Sequence, residues 1–87
     1  MMIDVKFFAS LRDALGCAQD SYESSAATTL QELLELLQQR HGAAAEALTA
    51  EGVRIALNQS LLPVADHLAT QLSAGDEVAF LPPVTGG

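Results

Sequence analysis

Hydrophobic and polar positions alternate from Met2 to Ala9. Ile3, Val5 and Phe7 fall on one side and Asp4, Lys6 and Phe8 on the other, the period-two pattern of a strand with one buried face. The period then changes. Leu11 and Leu15 share one face of a helical turn or two, with Ser10 placed to cap its start and Gly16 to stop it. A weaker strand is expected within Asp20 to Ser25, around Tyr22. Thr29 followed by Glu32 is a capping box, and Leu30, Leu33, Leu34 and Leu37 recur at i, i+3, i+4 and i+7, so the main helix starts here with one apolar stripe. Gly42 ends it, and Arg40 and His41 stand where the negative end of the helix dipole favours cations. Ala43 to Leu48 reads as a short second helix closed by Glu51-Gly52.

Strand periodicity returns at Val53 to Asn58, with Val53, Ile55 and Leu57 on one face. Asn58-Gln59-Ser60 is a turn, so Leu61 to Val64 should fold back as a short hairpin partner. Ala74-Gly75-Asp76 is another turn, and Glu77 to Leu81 is the last strand, with Val78 and Phe80 sharing a face. Pro82-Pro83 ends it, because neither residue has an N–H for the ladder. Strands on both sides of one dominant helix predict the α+β class, a single roll in which a mixed sheet of about five strands packs on that helix.

Composition narrows what such a domain can do. Eighty-seven residues make one domain, with no room for a deep active-site cavity. Eleven acidic residues against four basic ones leave a net charge of −7, which excludes nucleic acid and suits either solubility or a basic partner surface. No apolar run approaches a membrane span, and the N-terminus lacks the pattern of a signal peptide, so a cytoplasmic location is expected. The single cysteine, Cys17, cannot form an internal disulfide, and no basic sequence neighbour activates its thiol. Cys17, His41 and His67 lack metal-ligand spacing, and the two histidines read as surface residues. Asp66-His67 has no nucleophile placed with it by any motif, so Asp66 reads as a turn or helix-start residue. The glycines form neither a Walker loop nor a dinucleotide fingerprint. The chain is expected to bind no cofactor and no metal, and to have no catalytic centre of its own.

What remains is the ending. Two terminal glycines arise by chance in roughly 0.5% of chains at ordinary glycine usage, so they weigh against a merely frayed terminus. Pro82 and Pro83 favour an extended exit, and the β-branched Val84 and Thr85 continue it. Gly86 and Gly87 lack the β-carbons that would block a narrow channel. Residues 1–81 are thus expected to form the domain and residues 82–87 an extended tail. Six extended residues reach about 20 Å, enough to enter a neighbouring protein's active site. A terminal carboxylate is ionised at neutral pH and is a poor electrophile, so it needs activation that this chain cannot supply.

Three segments carry a resemblance: Ala56-Leu57-Asn58-Gln59, then Gly75-Asp76-Glu77-Val78-Ala79-Phe80, then Pro82-Pro83-Val84-Thr85-Gly86-Gly87. Together with the Val5-Lys6-Phe7-Phe8-Ala9 opening, they resemble the ubiquitin-like sulfur-carrier family that includes the small subunit of molybdopterin synthase. The resemblance implies a β-grasp fold. It also implies that an E1-like enzyme uses ATP to adenylate Gly87, that a sulfur relay makes its thiocarboxylate, and that the large synthase subunit passes the sulfur to a cyclic pterin precursor. A heterotetramer with the large subunit is then expected. Leu81 and Phe8, on the outward faces of the last and first strands, are the candidate partner interface, the alternative being that loops cover one or both, with equal weight for Phe8. Other readings are a carrier for thiamine synthesis, a ubiquitin-like tag for protein lysines, and a binding module whose diglycine is incidental.

Overall fold

The computed structural model describes residues 2–23, 25, 29–63 and 69–83. Five strands form one sheet: β1 (Met2–Phe7), β2 (Gln19–Glu23), β3 (Arg54–Leu57), β4 (Ser60–Leu61) and β5 (Glu77–Leu81), in the order β2-β1-β5-β3-β4. The centre is the parallel pair of β1 with β5, in the register Val5↔Val78 and Phe7↔Phe80. The β1–β2, β3–β4 and β3–β5 pairs are antiparallel. The first and last strands thus lie side by side, and the ends of the chain's alternating patterns share one buried face.

Helix α1 (Ser10–Leu15) and helix α2 (Leu30–His41) complete the inner layer. Ile3, Val5, Phe7, Ile55, Val78 and Phe80 meet Leu30, Leu33, Leu34 and Leu37 in one core, and the Phe7 and Phe80 rings stack with centroids 5.9 Å apart. The capping box is present: the Glu32 N–H donates to Thr29 Oγ1 at 3.2 Å and the Thr29 N–H to Glu32 Oε1 at 3.1 Å. Ser10, in contrast, does not cap α1. Ala9 occupies that position at φ 50° and ψ −122°, no side chain bonds the helix start, and Ser10 is already the first helical residue. The strand stops at Phe7 because the chain turns there, with the Phe8 carbonyl accepting from the Leu11 N–H. The Gly16 N–H closes the helix on the Arg12 carbonyl.

The expected short helix is a 3-10 helix (Gly42–Thr49) that follows α2 directly. Its three-residue turn stacks Ala45 and Leu48 on the same face, and both are buried. In the hairpin, Asn58 and Gln59 both take positive φ, 51° and 70°, so they alone are the turn and Ser60 already belongs to the returning strand. Val64, the expected end of that strand, and the Asp66-His67 pair lie outside the described residues.

His41 is not the plain surface residue its isolation suggested. The Arg40 guanidinium donates to Asp20 Oδ1 at 2.6 Å, while His41 Nε2 lies 3.2 Å from Asp20 Oδ2, tying the end of α2 to β2. Arg40 also covers the Tyr22 ring at 4.1 Å. Burial would raise the Asp20 carboxyl, but the Ser21 N–H, His41 and Arg40 together outweigh it and hold it below its ordinary value. Burial, with the Asp20 charge adding to it, pushes the Tyr22 hydroxyl up to about 12. Helix on one face and open sheet on the other make this a β-grasp roll.

Candidate functional site: the open sheet face and the exit of the tail

Residues opposite one another in paired strands share a face, so the ladder decides what the outer surface displays. Lys6↔Ala79, Ala56↔Ala79, Ala56↔Leu61 and Arg54↔Leu81 place these side chains away from the helices. The Phe8 N–H donates to the Phe80 carbonyl at 3.2 Å, which continues the pairing past β1 and brings Phe8 to the Leu81 end of the face. Phe8 is 44% exposed and Leu61 57% exposed, and Leu81 is half-buried. No loop of the described residues covers Phe8.

Phe8, Ala56, Leu61, Ala79 and Leu81 line an open depression of about 420 Å³, with Lys6 and Glu77 at its rim. The two rim charges approach to 3.5 Å, Lys6 Nζ to Glu77 Oε1. Ala56 and Ala79 form its floor, since small side chains there leave the backbone of the central strands close to the surface. An apolar hollow with a charged rim is suited to receiving another protein. Among the described residues no group of three or more His, Cys, Asp or Glu could hold a metal ion. Among them, too, no helix is long and apolar enough to cross a membrane.

Below the hollow, two sequence runs lock together. Asn58 Nδ2 donates to Asp76 Oδ1 at 3.0 Å, while Asn58 Oδ1 accepts from the Glu77 N–H at 2.9 Å. Asp76 Oδ2 accepts from the Ser73 N–H at 2.7 Å, and the Asp76 carbonyl accepts from the Asp4 N–H at 3.0 Å. Asn58 and Asp76 therefore register β3, β5 and β1 at their shared end, where β5 begins, and Pro82 follows its other end. The residue types of that motif are explained by strand alignment.

At the opposite end β5 delivers Pro82, half-buried, and Pro83, exposed. Val84, Thr85, Gly86 and Gly87 lie outside the described residues. Sequence reasoning missed one position here. Gly52, read only as a stop after a helix, stands so close to Pro83 that a β-carbon on it would lie 2.9 Å from Pro83 Cβ. The signal was available in the pairing of β3 with β5, but only once the strand order is known. Cys17 is partly buried against the core and free.

An apolar outer face, a single main helix behind it and a short segment leaving the central strand define a ubiquitin-like β-grasp protein. The chain belongs to the ThiS family, whose model matches residues 5–87. The molybdopterin synthase sulfur carrier subunit of Haemophilus influenzae is 38% identical over 86 residues, covering 99% of this chain and 100% of that protein. That of Escherichia coli is 40% identical over 90 residues, with 99% and 100% covered. Among solved structures, the complex of subunits 1 and 2 of the molybdopterin-converting factor from Helicobacter pylori contains a chain 32% identical at a TM-score of 0.68, with both chains fully covered. The small archaeal modifier protein 1 from Methanosarcina acetivorans is 26% identical at a TM-score of 0.79, covering 99% of this chain and 96% of that one.

Proposed function

We propose that this chain is the sulfur-carrier subunit of a molybdopterin synthase, with Gly87 as the group that carries the sulfur. The observation that bears most weight is full-length likeness to proteins of that name, ending on Gly86-Gly87. Residues 1–81 are the docking domain and residues 82–87 the delivery tail. The carboxylate of Gly87 attacks the α-phosphorus of ATP on an E1-like partner, and pyrophosphate leaves. The resulting acyl-adenylate is electrophilic where the carboxylate was not. A sulfur donor displaces AMP at the acyl carbon and leaves a thiocarboxylate. The tail then enters the large subunit, which supplies the catalytic side chains for passing that sulfur to a cyclic pterin precursor. ATP is thus the partner's cofactor, and this chain acts as the non-catalytic member of a two-subunit sulfurtransferase. The two-subunit Helicobacter complex supports such a partner, and a heterotetramer with two copies of each subunit is the expected assembly.

The hollow around Phe8, Leu61 and Leu81 is the proposed docking surface, because it adjoins the exit of the tail and presents apolar area without a ligand-binding constellation. The likeness to a small archaeal modifier protein favours a second reading, in which the activated tail is joined to a protein amine. Both readings share the activation step and differ in the acceptor.

Incubation with ATP, an E1-like activating enzyme and a sulfur source tests the first step. Intact mass spectrometry should find one oxygen replaced by sulfur, and fragmentation should place the change at Gly87 and leave Cys17 untouched. Addition of purified large subunit and the cyclic pterin precursor should then return Gly87 to a carboxylate. Sulfur found on Cys17 as a persulfide, with Gly87 unchanged, overturns the proposal. Isopeptide products in place of sulfur transfer establish the second reading.

A further inference from the structure

The backbone ladder cannot hold the root of the tail. Strands β3 and β5 pair from Leu57↔Val78 to Arg54↔Leu81, and two further steps of the same register set Gly52 opposite Pro83. Pro82 and Pro83 have no N–H to donate, so hydrogen bonding on their side stops at Leu81 and packing must set the direction in which the chain departs. That packing is unusual. At Gly52, φ is +89°, and a β-carbon built there would lie 2.9 Å from Pro83 Cβ and 3.2 Å from Pro83 Cγ. The pyrrolidine ring cannot swing away by changing rotamer, so it rests against a bare α-carbon. Gly16, Gly42 and Gly75 also have positive φ, yet a β-carbon on any of them would meet nothing within 4 Å. Positive φ explains those three as turn and cap residues. At Gly52 it is joined by a steric demand from Pro83, the last described residue of the tail.

We propose that Gly52 is a positioning residue for sulfur transfer, its missing side chain forming the seat of Pro83 and thereby aiming the four residues that end in Gly87. The inference rests on the functional reading above. A methyl group at this position moves either Pro83 or the start of β3, and the carboxylate four residues on loses its alignment in the partner's site. The docking face, formed by other residues, is unaffected. Misplacement of a reacting group by about 1 Å costs on the order of 100-fold in rate.

Gly75 provides the control, since its φ is also +89° and its surroundings are open. Both G52A and G75A carry the same backbone strain, and only G52A disturbs Pro83. With the activating enzyme, ATP and a sulfur donor, G52A should keep its KM within about twofold of the unaltered chain while kcat for thiocarboxylate formation falls about 100-fold. G75A should retain kcat within about twofold. Made on a P83G background, G52A should cost less than about threefold, because the clashing ring is gone. P83A, at an exposed position outside the core, removes the ring that rests on Gly52 and folds irrespective of G52A. It should lower kcat about tenfold and leave KM unchanged. Equal kcat for G52A and G75A, a loss confined to KM, a G52A effect that persists on P83G, or an unaltered kcat in P83A each overturns the proposal. If the unaltered chain accepts no sulfur at Gly87, the functional reading fails. If it does accept sulfur and G52A matches it, only the positioning role fails.

Discussion

Replacement of Leu81 by aspartate separates docking from folding. Leu81 ends β5 on the outer face, half-buried and opposite Arg54. Full burial of a leucine contributes about 1.5–3 kcal/mol, so a half-buried one contributes roughly 1 kcal/mol to the fold. An aspartate there faces the Arg54 guanidinium across the strand pair, a contact worth about 0.2–1 kcal/mol, which offsets much of the loss. The variant should therefore fold. Docking is different. Covering this surface with an apolar partner buries an unpaired carboxylate at a cost of at least about 1–3 kcal/mol and forfeits roughly 1 kcal/mol of leucine contact. A total of about 2–4 kcal/mol weakens the complex on the order of 30- to 1,000-fold. Titration calorimetry against the purified large subunit and the activating enzyme reads this directly, with circular dichroism reporting the fold. Affinity within threefold of the unaltered chain, with the fold intact, would refute the docking face. Unfolding would show that Leu81 contributes to the core and that the outward face assigned to it is wrong.

Deletion of Gly87, or addition of one residue after it, should abolish sulfur transfer to the pterin precursor while the melting temperature stays within a degree or two, about the precision of a thermal scan for a change outside the core. C17S should accept sulfur at Gly87 as the unaltered chain does, checked by the same mass measurement. Tyr22 is the only tyrosine and the chain has no tryptophan, so ultraviolet absorbance titrates it alone. In the folded chain its midpoint should stand near 12, against about 10 after unfolding in urea. Its raised value makes the contribution to stability complete below the unfolded midpoint and lost as pH climbs towards the folded one, and Y22F should flatten that decline. A folded-state midpoint near 10 would contradict the burial. T29A should lower stability by about 1 kcal/mol in urea unfolding, because it removes the acceptor for the Glu32 N–H.

Much of this molecule is local, and local order is legible in a sequence. Alternation assigned Ile3, Val5, Phe7, Val78 and Phe80 to the core and left Phe8 and Leu81 facing outward, because a strand's side chains can only alternate. The Thr29–Glu32 box and the leucine stripe placed the main helix, since both act within one or two turns. The prolines marked the end of β5 through their missing N–H groups. The short helix at Ser10 was foreseen but its cap was not, for Ala9 is held at positive φ by the turn that follows β1. The rest depends on which strands become neighbours. Only the pairing of β3 with β5 brings Asn58 to Asp76, and only the packing of α2 on the sheet carries His41 to Asp20 on β2. The same strand order gathers Phe8, Leu61 and Leu81, far apart in the chain, into one hollow. It also sets Gly52 against Pro83, thirty-one positions away, in a contact that no local pattern records. Sequence alone predicted an extended segment ahead of the diglycine. The seat of Pro83 against Gly52 is a property of long-range pairing, because residues without N–H groups take their bearing from whatever packs beside them.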